Sequence, residues 1–278
     1  MENQNEYLSL LDLTYHVAQS LEGKTYPDSR FYDCNSLALK LFFHGATLYW
    51  LRQGTKAPVP EPNGAYFFDA ASAAMISRSI FETYLTMFEV FFDQISNDER
   101  EFRHACWLLE GFIIRENVTH LDPDLNEKFV DSQIKIETIR ARIKKTIKFQ
   151  SLTEKQKQAI LKGNRLLKKF EDRAKAAGFA PKIVQRMNRY LSSYVHSDGL
   201  SAIQLMASKT KEEQQDHFDS LMYLPMMAMS KMILAYKKLF PSAEDSCIAH
   251  PQALHLAEVW SEVAQQIDQF DGLIADTD

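Results

Sequence analysis

The segment Met187-Asn188-Arg189-Tyr190-Leu191-Ser192-Ser193-Tyr194-Val195-His196-Ser197-Asp198-Gly199 sets an arginine and a histidine seven positions apart. Seven residues are close to two turns of α-helix, so both side chains leave one face of the helix. A guanidinium that is always charged can bind a phosphate, and an imidazole on the same face can move a proton beside it. Two ordinary surface residues would share that spacing. Pro181 opens the helix and Gly199 is expected as its C′ residue, which gives a run of about 17 residues, or about 25 Å. His196 then falls in the last turn, beside free carbonyls and the negative end of the helix dipole. That place suits a phosphate binder or an acid better than a base. Arg189 lies about 10 Å away along the axis, so both reach one phosphate only if the arginine bends inward or a second protomer contributes. Ser193 falls between the two and could hydrogen-bond either.

This segment resembles the Arg-x4–6-His signature of the HEPN superfamily, compact helical domains common in bacterial defence and toxin–antitoxin systems. Many members are metal-independent endoribonucleases whose motifs meet across a dimer interface. The matching positions are Arg189 and His196, with six residues between them. In that group a polar residue, often Asn, follows the arginine; here Tyr190 occupies that place and Asn188 precedes the arginine. Three stretches, Asn35-Ser-Leu-Ala-Leu-Lys40, Arg78-Ser-Ile-Phe-Glu82 and Tyr190 to His196, also resemble the ordered landmarks of an uncharacterised HEPN-like family of bacterial proteins. The resemblance implies an all-α, HEPN-like fold, a homodimer, and RNA or a protein partner or antidote as the molecule met. Arg78 and Glu82 are i,i+4 neighbours and can form an ordinary intrahelical ion pair. Alternatively they line the same cleft as His196, with Glu82 orienting the imidazole or Arg78 holding a second phosphate oxygen.

The elements that must position these residues read as helices. β-branched residues nowhere alternate cleanly with polar ones, and glycine and proline are scarce at nine each in 278 residues. Helices are expected over Glu6–Leu21, Asp33–Leu51, Tyr66–Ile95 and Asn97–His120, then from Asp122 to about Phe149. A Lys-rich helix led by Ser151-Leu-Thr153-Glu154 and ending before Gly178 follows, then the motif helix, a Met-rich helix within Lys211–Phe240, and a last helix over His250–Ile274. Gly54–Gly64 carries three alternating prolines and reads as a loop. The Tyr66–Ile95 helix is apolar over most of its circumference and is expected at the centre. One compact bundle of eight or nine helices over residues 1–278, without an interdomain linker, is the simplest account.

Charge is unevenly distributed. Between Lys135 and Arg189 stand 17 Lys and Arg against four acids, whereas Ser242–Asp278 holds eight acids and no Lys or Arg. A basic block inside an acidic chain is a candidate polyanion footprint, with Lys168, Lys169, Arg173 and Arg186 as nucleic-acid contacts. It is equally a solvated face balanced by the acidic remainder. No metal site is expected: Glu101/His104 lacks the second copy a di-iron bundle requires, and Glu116/His120 and Glu213/His217 read as charged surface pairs. No Gly-x-Ser-x-Gly, Gly-rich phosphate loop or dinucleotide fingerprint occurs, and no cofactor is expected. The N-terminal residues lack the charge and apolar run of a signal peptide, no segment suits a bilayer, and the three cysteines are dispersed. A cytoplasmic setting follows. His44 and the methionines at 222, 226, 227, 229 and 232 are expected in the core. The functional expectation is a nucleic-acid-directed protein, in its sharper form a metal-independent endoribonuclease. The alternative is a non-catalytic helical interaction module.

Overall fold

Apolar residues at helical spacing along most of the sequence give a chain that is helical almost throughout. The computed structural model describes residues 2–26, 28–56, 66–119, 126–166, 168–196 and 198–269. The helices are α1 (Glu2–Gln19), α2 (Arg30–Arg52), α3 (Ala70–Met87), α4 (Asn97–Thr119), α5 (Asn126–Lys145), α6 (Ile147–Gln150) and α7 (Glu154–Leu161). They continue with α8 (Phe170–Ala176), α9 (Pro181–His196), α10 (Gly199–Ala207), α11 (Lys211–Ser220), α12 (Tyr223–Leu239), α13 (Pro241–Ala249) and α14 (Pro251–Gln266). Two short strands, β1 (Thr55–Lys56) and β2 (Tyr66–Phe67), pair antiparallel between α2 and α3. No helix among the described residues is long and apolar enough to cross a membrane.

The chain forms two compact units. One comprises Met1–Met87 with Glu171–Asp278, and the other comprises Phe88–Phe170. In the first unit α12 is enclosed by α1, α2, α3, α13 and α14. Met226, Met227, Met229, Met232, Ile233 and Tyr236 are each at most 2% exposed, so the methionines fill the core as expected. Each such side chain contributes roughly 1.5–3 kcal/mol through its removal from water. The most enclosed helix is therefore α12, with α3 packed beside it. In the second unit Leu109 of α4, Ile136, Ile139 and Ile143 of α5, Phe149 of α6 and Ile160 of α7 close a separate core.

Several helices expected as long rods are broken. Tyr66 and Phe67 pair as β2 rather than starting a helix, and α3 passes at Phe88–Phe92 into a π-helical turn. The run expected to reach Phe149 stops at Lys145. The Thr146 hydroxyl accepts from Phe149 N, and the Asp98 carboxylate accepts from Ile147 N and Lys148 N, so a new helix starts there. Thr153 caps α7 with a capping box to Gln156 as its sequence suggests. That helix ends where Gly163 adopts φ +90, and α8 forms separately. Gly199 is the first residue of α10 rather than the cap of α9, because the Asp198 carboxylate accepts from Leu200 N and Ser201 N. Thr210 caps α11, the Met-rich helix expected within Lys211–Phe240 is α12, and α14 begins at Pro251 within the last expected run, preceded by the separate α13. The helix start expected at Asp122, and most of the expected proline loop, lie outside the described residues.

Candidate functional site on helix α9

Helix α9 is held at its start and along one face. At its start, the Asp268 carboxylate accepts from Lys182 N at 2.8 Å and Ile183 N at 2.9 Å, and Ala180 N donates to the Ala264 carbonyl at 2.8 Å. These bonds satisfy amides that a helix start leaves without partners. Val184, Leu191 and Tyr194 are buried along one face, and α9 packs on α3.

The opposite face holds Lys182, Arg186, Arg189 and His196, all exposed. At 100° per residue, Lys182, Arg189 and His196 fall within about 40° of one another, at intervals of about 10 Å along the axis. Arg186, Arg189, Gln185, Asn188 and Glu171 line a hollow of about 510 Å³. Two guanidiniums and one carboxylate thus line the hollow, and a guanidinium is suited to bind a phosphate. Asn188 adds a buried Oδ1 that finds no hydrogen-bond partner among the described residues.

The supporting residues divide. Arg78 on α3 donates through Nε to Glu82 Oε1 at 2.8 Å and through Nη1 to the Ser192 hydroxyl on α9 at 2.8 Å. The Arg78/Glu82 pair is therefore an intrahelical ion pair and also a strut under the motif helix, reached through Ser192. Ser193 is 2% exposed, and its hydroxyl donates to the Tyr190 carbonyl at 2.7 Å, so it turns inward instead of bridging Arg189 and His196.

Tyr190, the residue that departs from the HEPN pattern, has a structural partner that the sequence does not announce. Its hydroxyl lies 2.5 Å from His217 Nε2, and the Tyr194 hydroxyl lies 3.0 Å from the same nitrogen. The Ser208 hydroxyl stands 3.5 Å from His217 Nδ1. Burial lowers the His217 pKa and raises those of both tyrosines, so the cluster is held neutral. His217 is thus not the partner of Glu213, whose carboxylate instead accepts from Lys209 N and Thr210 N. Arg52 at the end of α2, 7% exposed, positions α11 by donating to both oxygens of Asp219 at 2.6 and 2.7 Å. Two tyrosines at i,i+4 in the sequence were a visible signal; their histidine, 23 residues on from Tyr194, was not.

The basic block contracts when its charges are followed into space. Its Lys135–Phe170 part belongs to the second unit, where Arg142 pairs with Glu101, Arg165 with Glu110 and Lys157 with Glu154. Lys168 and Lys169 are exposed in that unit, whereas Arg186 and Arg189 are exposed in the first. Arg173 donates to the Thr86 hydroxyl on α3 at 3.4 Å. Of the pairs with metal-ligand spacing, Glu101 is engaged by Arg142, His104 is 2% exposed, and His120 lies outside the described residues. His44 is half-buried, 3.4 Å from the Ser79 hydroxyl, and its pKa is lowered chiefly by burial. Comparison of the chain with protein-family models, curated proteins and solved structures gives no match.

Proposed function

We propose that the protein is a HEPN-like, RNA-directed protein that contacts the phosphate backbone through the exposed face of α9 and cleaves it without a metal ion. The alignment of Lys182, Arg189 and His196 on one continuous, exposed helical face carries this reading. Arg186 and Arg189 hold a phosphate in the hollow they line, and Arg189 stabilises charge on the phosphorane. His196 moves the proton. The ribose 2′ oxygen bonds to phosphorus as the bond from phosphorus to the 5′ oxygen breaks. The 2′-hydroxyl proton passes by way of His196 to the departing oxygen, so the protein ends unchanged. The products are a 2′,3′-cyclic phosphate and a 5′-hydroxyl. Arg189 and His196 of one chain stand about 10 Å apart along the axis, so two copies meeting at α9 complete one site.

Salt dependence of RNA binding tests the electrostatic part. Each phosphate neutralised lowers the logarithm of affinity by about 0.7 per decade of salt for a single strand. Arg189→Ala and Arg186→Ala are each expected to reduce that slope, measured by fluorescence anisotropy. Slopes equal to wild type would reject the hollow as the contact.

A second reading, a protein-interaction module, is favoured by apolar exposure at the same end of the unit. Val195 is 44% exposed, Leu200 39%, Ile203 64% and Met206 77%. Light scattering separates the readings. A monomer at all concentrations that neither binds nor cleaves RNA supports capture of another protein. A dimer lost in Ile203→Glu supports self-association beside α9.

A further inference from the structure

The first unit also brings together three metal-ligating side chains that the α9 chemistry does not use. Asp12 and His16 stand one turn apart on α1, and His250 occupies the junction between α13 and α14. One ligand atom from each lies within 4.8 Å of the other two. His16 Nε2 is 3.6 Å from Asp12 Oδ1, and the His16 and His250 rings stack with centroids 4.5 Å apart. A tetrahedral zinc site with bonds of about 2.0–2.1 Å has ligand atoms about 3.3–3.4 Å apart, so rotamer adjustments of about 1 Å complete the set.

The His250 ring is also oriented for the task. Its Nδ1 lies 2.8 Å from the Ser246 carbonyl oxygen, which can accept but not donate. Nδ1 therefore carries the proton and Nε2 keeps its lone pair. Histidine ligands commonly show this outer bond to a backbone carbonyl. The Ser246 hydroxyl in turn faces the His16 carbonyl at 3.5 Å, tying α13 to α1 at the same place.

We propose that Asp12, His16 and His250 bind one divalent transition-metal ion, with Zn²⁺ as the ion best matched to two imidazoles and a carboxylate. The ion clips α1 to the α13–α14 junction. Its fourth position stays open, because Asp12 is 60% exposed and His16 42%. This inference stands apart from the RNA reading, and its test uses no RNA.

The full-length protein is treated with chelator, desalted and titrated with ZnCl₂ by calorimetry and with CoCl₂ by visible absorption. One ion per chain is expected, with cobalt d–d bands and no thiolate charge-transfer band, since all three cysteines are buried. Zn²⁺ should also raise the thermal midpoint. His16→Gln, His250→Gln and Asp12→Asn, checked by circular dichroism, should each weaken binding at least tenfold and abolish the midpoint shift. No saturable binding by wild type would overturn the proposal. So would binding that survives in the His16→Gln/His250→Gln double variant.

Discussion

The Arg78 guanidinium joins α3 to α9 by donating to the Ser192 hydroxyl at 2.8 Å while Glu82 holds its Nε at the same distance. This bond adds a polar tie to the packing of Val184, Leu191 and Tyr194. Arg78 is 24% exposed and Glu82 45%, so the ion pair itself contributes little in water. The bond to Ser192 is the larger part. Arg78→Leu should lower the unfolding free energy by about 1 kcal/mol in urea denaturation. Adding Ser192→Ala to Arg78→Leu should cost nothing more, because both remove one bond. Fully additive losses would show that the contact contributes nothing.

The His217 cluster makes stability dependent on acidity. Burial depresses the His217 pKa below 6.5, so the folded protein binds its proton less readily than the unfolded chain does. Stability from this group is complete above pH 6.5 and falls as pH drops toward the folded-state value. His44 acts in the same direction, so the informative quantity is the difference in slope between wild type and His217→Gln. The variant should show a shallower loss between pH 7 and pH 5. Identical slopes would remove His217 from the account.

Lys231 predicts the opposite end of the pH range. It is 6% exposed on α12, its Nζ stands 5.2 Å from the centre of the Phe179 ring, and burial lowers its pKa from 10.5 to about 8. The folded state releases this proton before the unfolded chain does, so the Lys231 contribution to stability rises from about pH 8 towards pH 10. Above pH 9 the buried thiols of Cys34, Cys106 and Cys247, and above pH 10 the buried tyrosines Tyr7, Tyr84 and Tyr236, all with raised pKa values, turn the trend downward. A displacement from 10.5 to about 8 corresponds to about 3 kcal/mol as an upper figure. Lys231→Met should therefore flatten the rise and stabilise the protein at pH 7 by roughly 1–3 kcal/mol. A Lys231→Met protein less stable than wild type at pH 7 would contradict this.

Helix content and the motif helix were legible in the sequence because both rest on local signals. Apolar spacing marks the helices, and Pro181 marks the start of α9. Helix breaks were less legible, since Asp98 starts α6 from 49 residues away and Asp268 caps α9 from 85 residues away. Likewise the Ser192 contact with Arg78 spans 114 positions, and no periodicity encodes it. Charge counting along the chain overstated the basic surface, because it could not see which cations meet carboxylates on neighbouring helices. The Asp12/His16 half of the proposed metal site is visible as an i,i+4 pair, but His250 joins it only through folding.

RNA cleavage in excess EDTA tests the proposed role of the exposed Arg189/His196 face. Purified wild type, Arg189→Ala and His196→Ala are incubated with single-stranded RNA, and the product ends are identified. Cleavage by wild type is expected to leave 2′,3′-cyclic phosphate and 5′-hydroxyl ends, with a loss of at least about 100-fold in each variant. Equal cleavage by all three proteins, or none by wild type, would contradict that role.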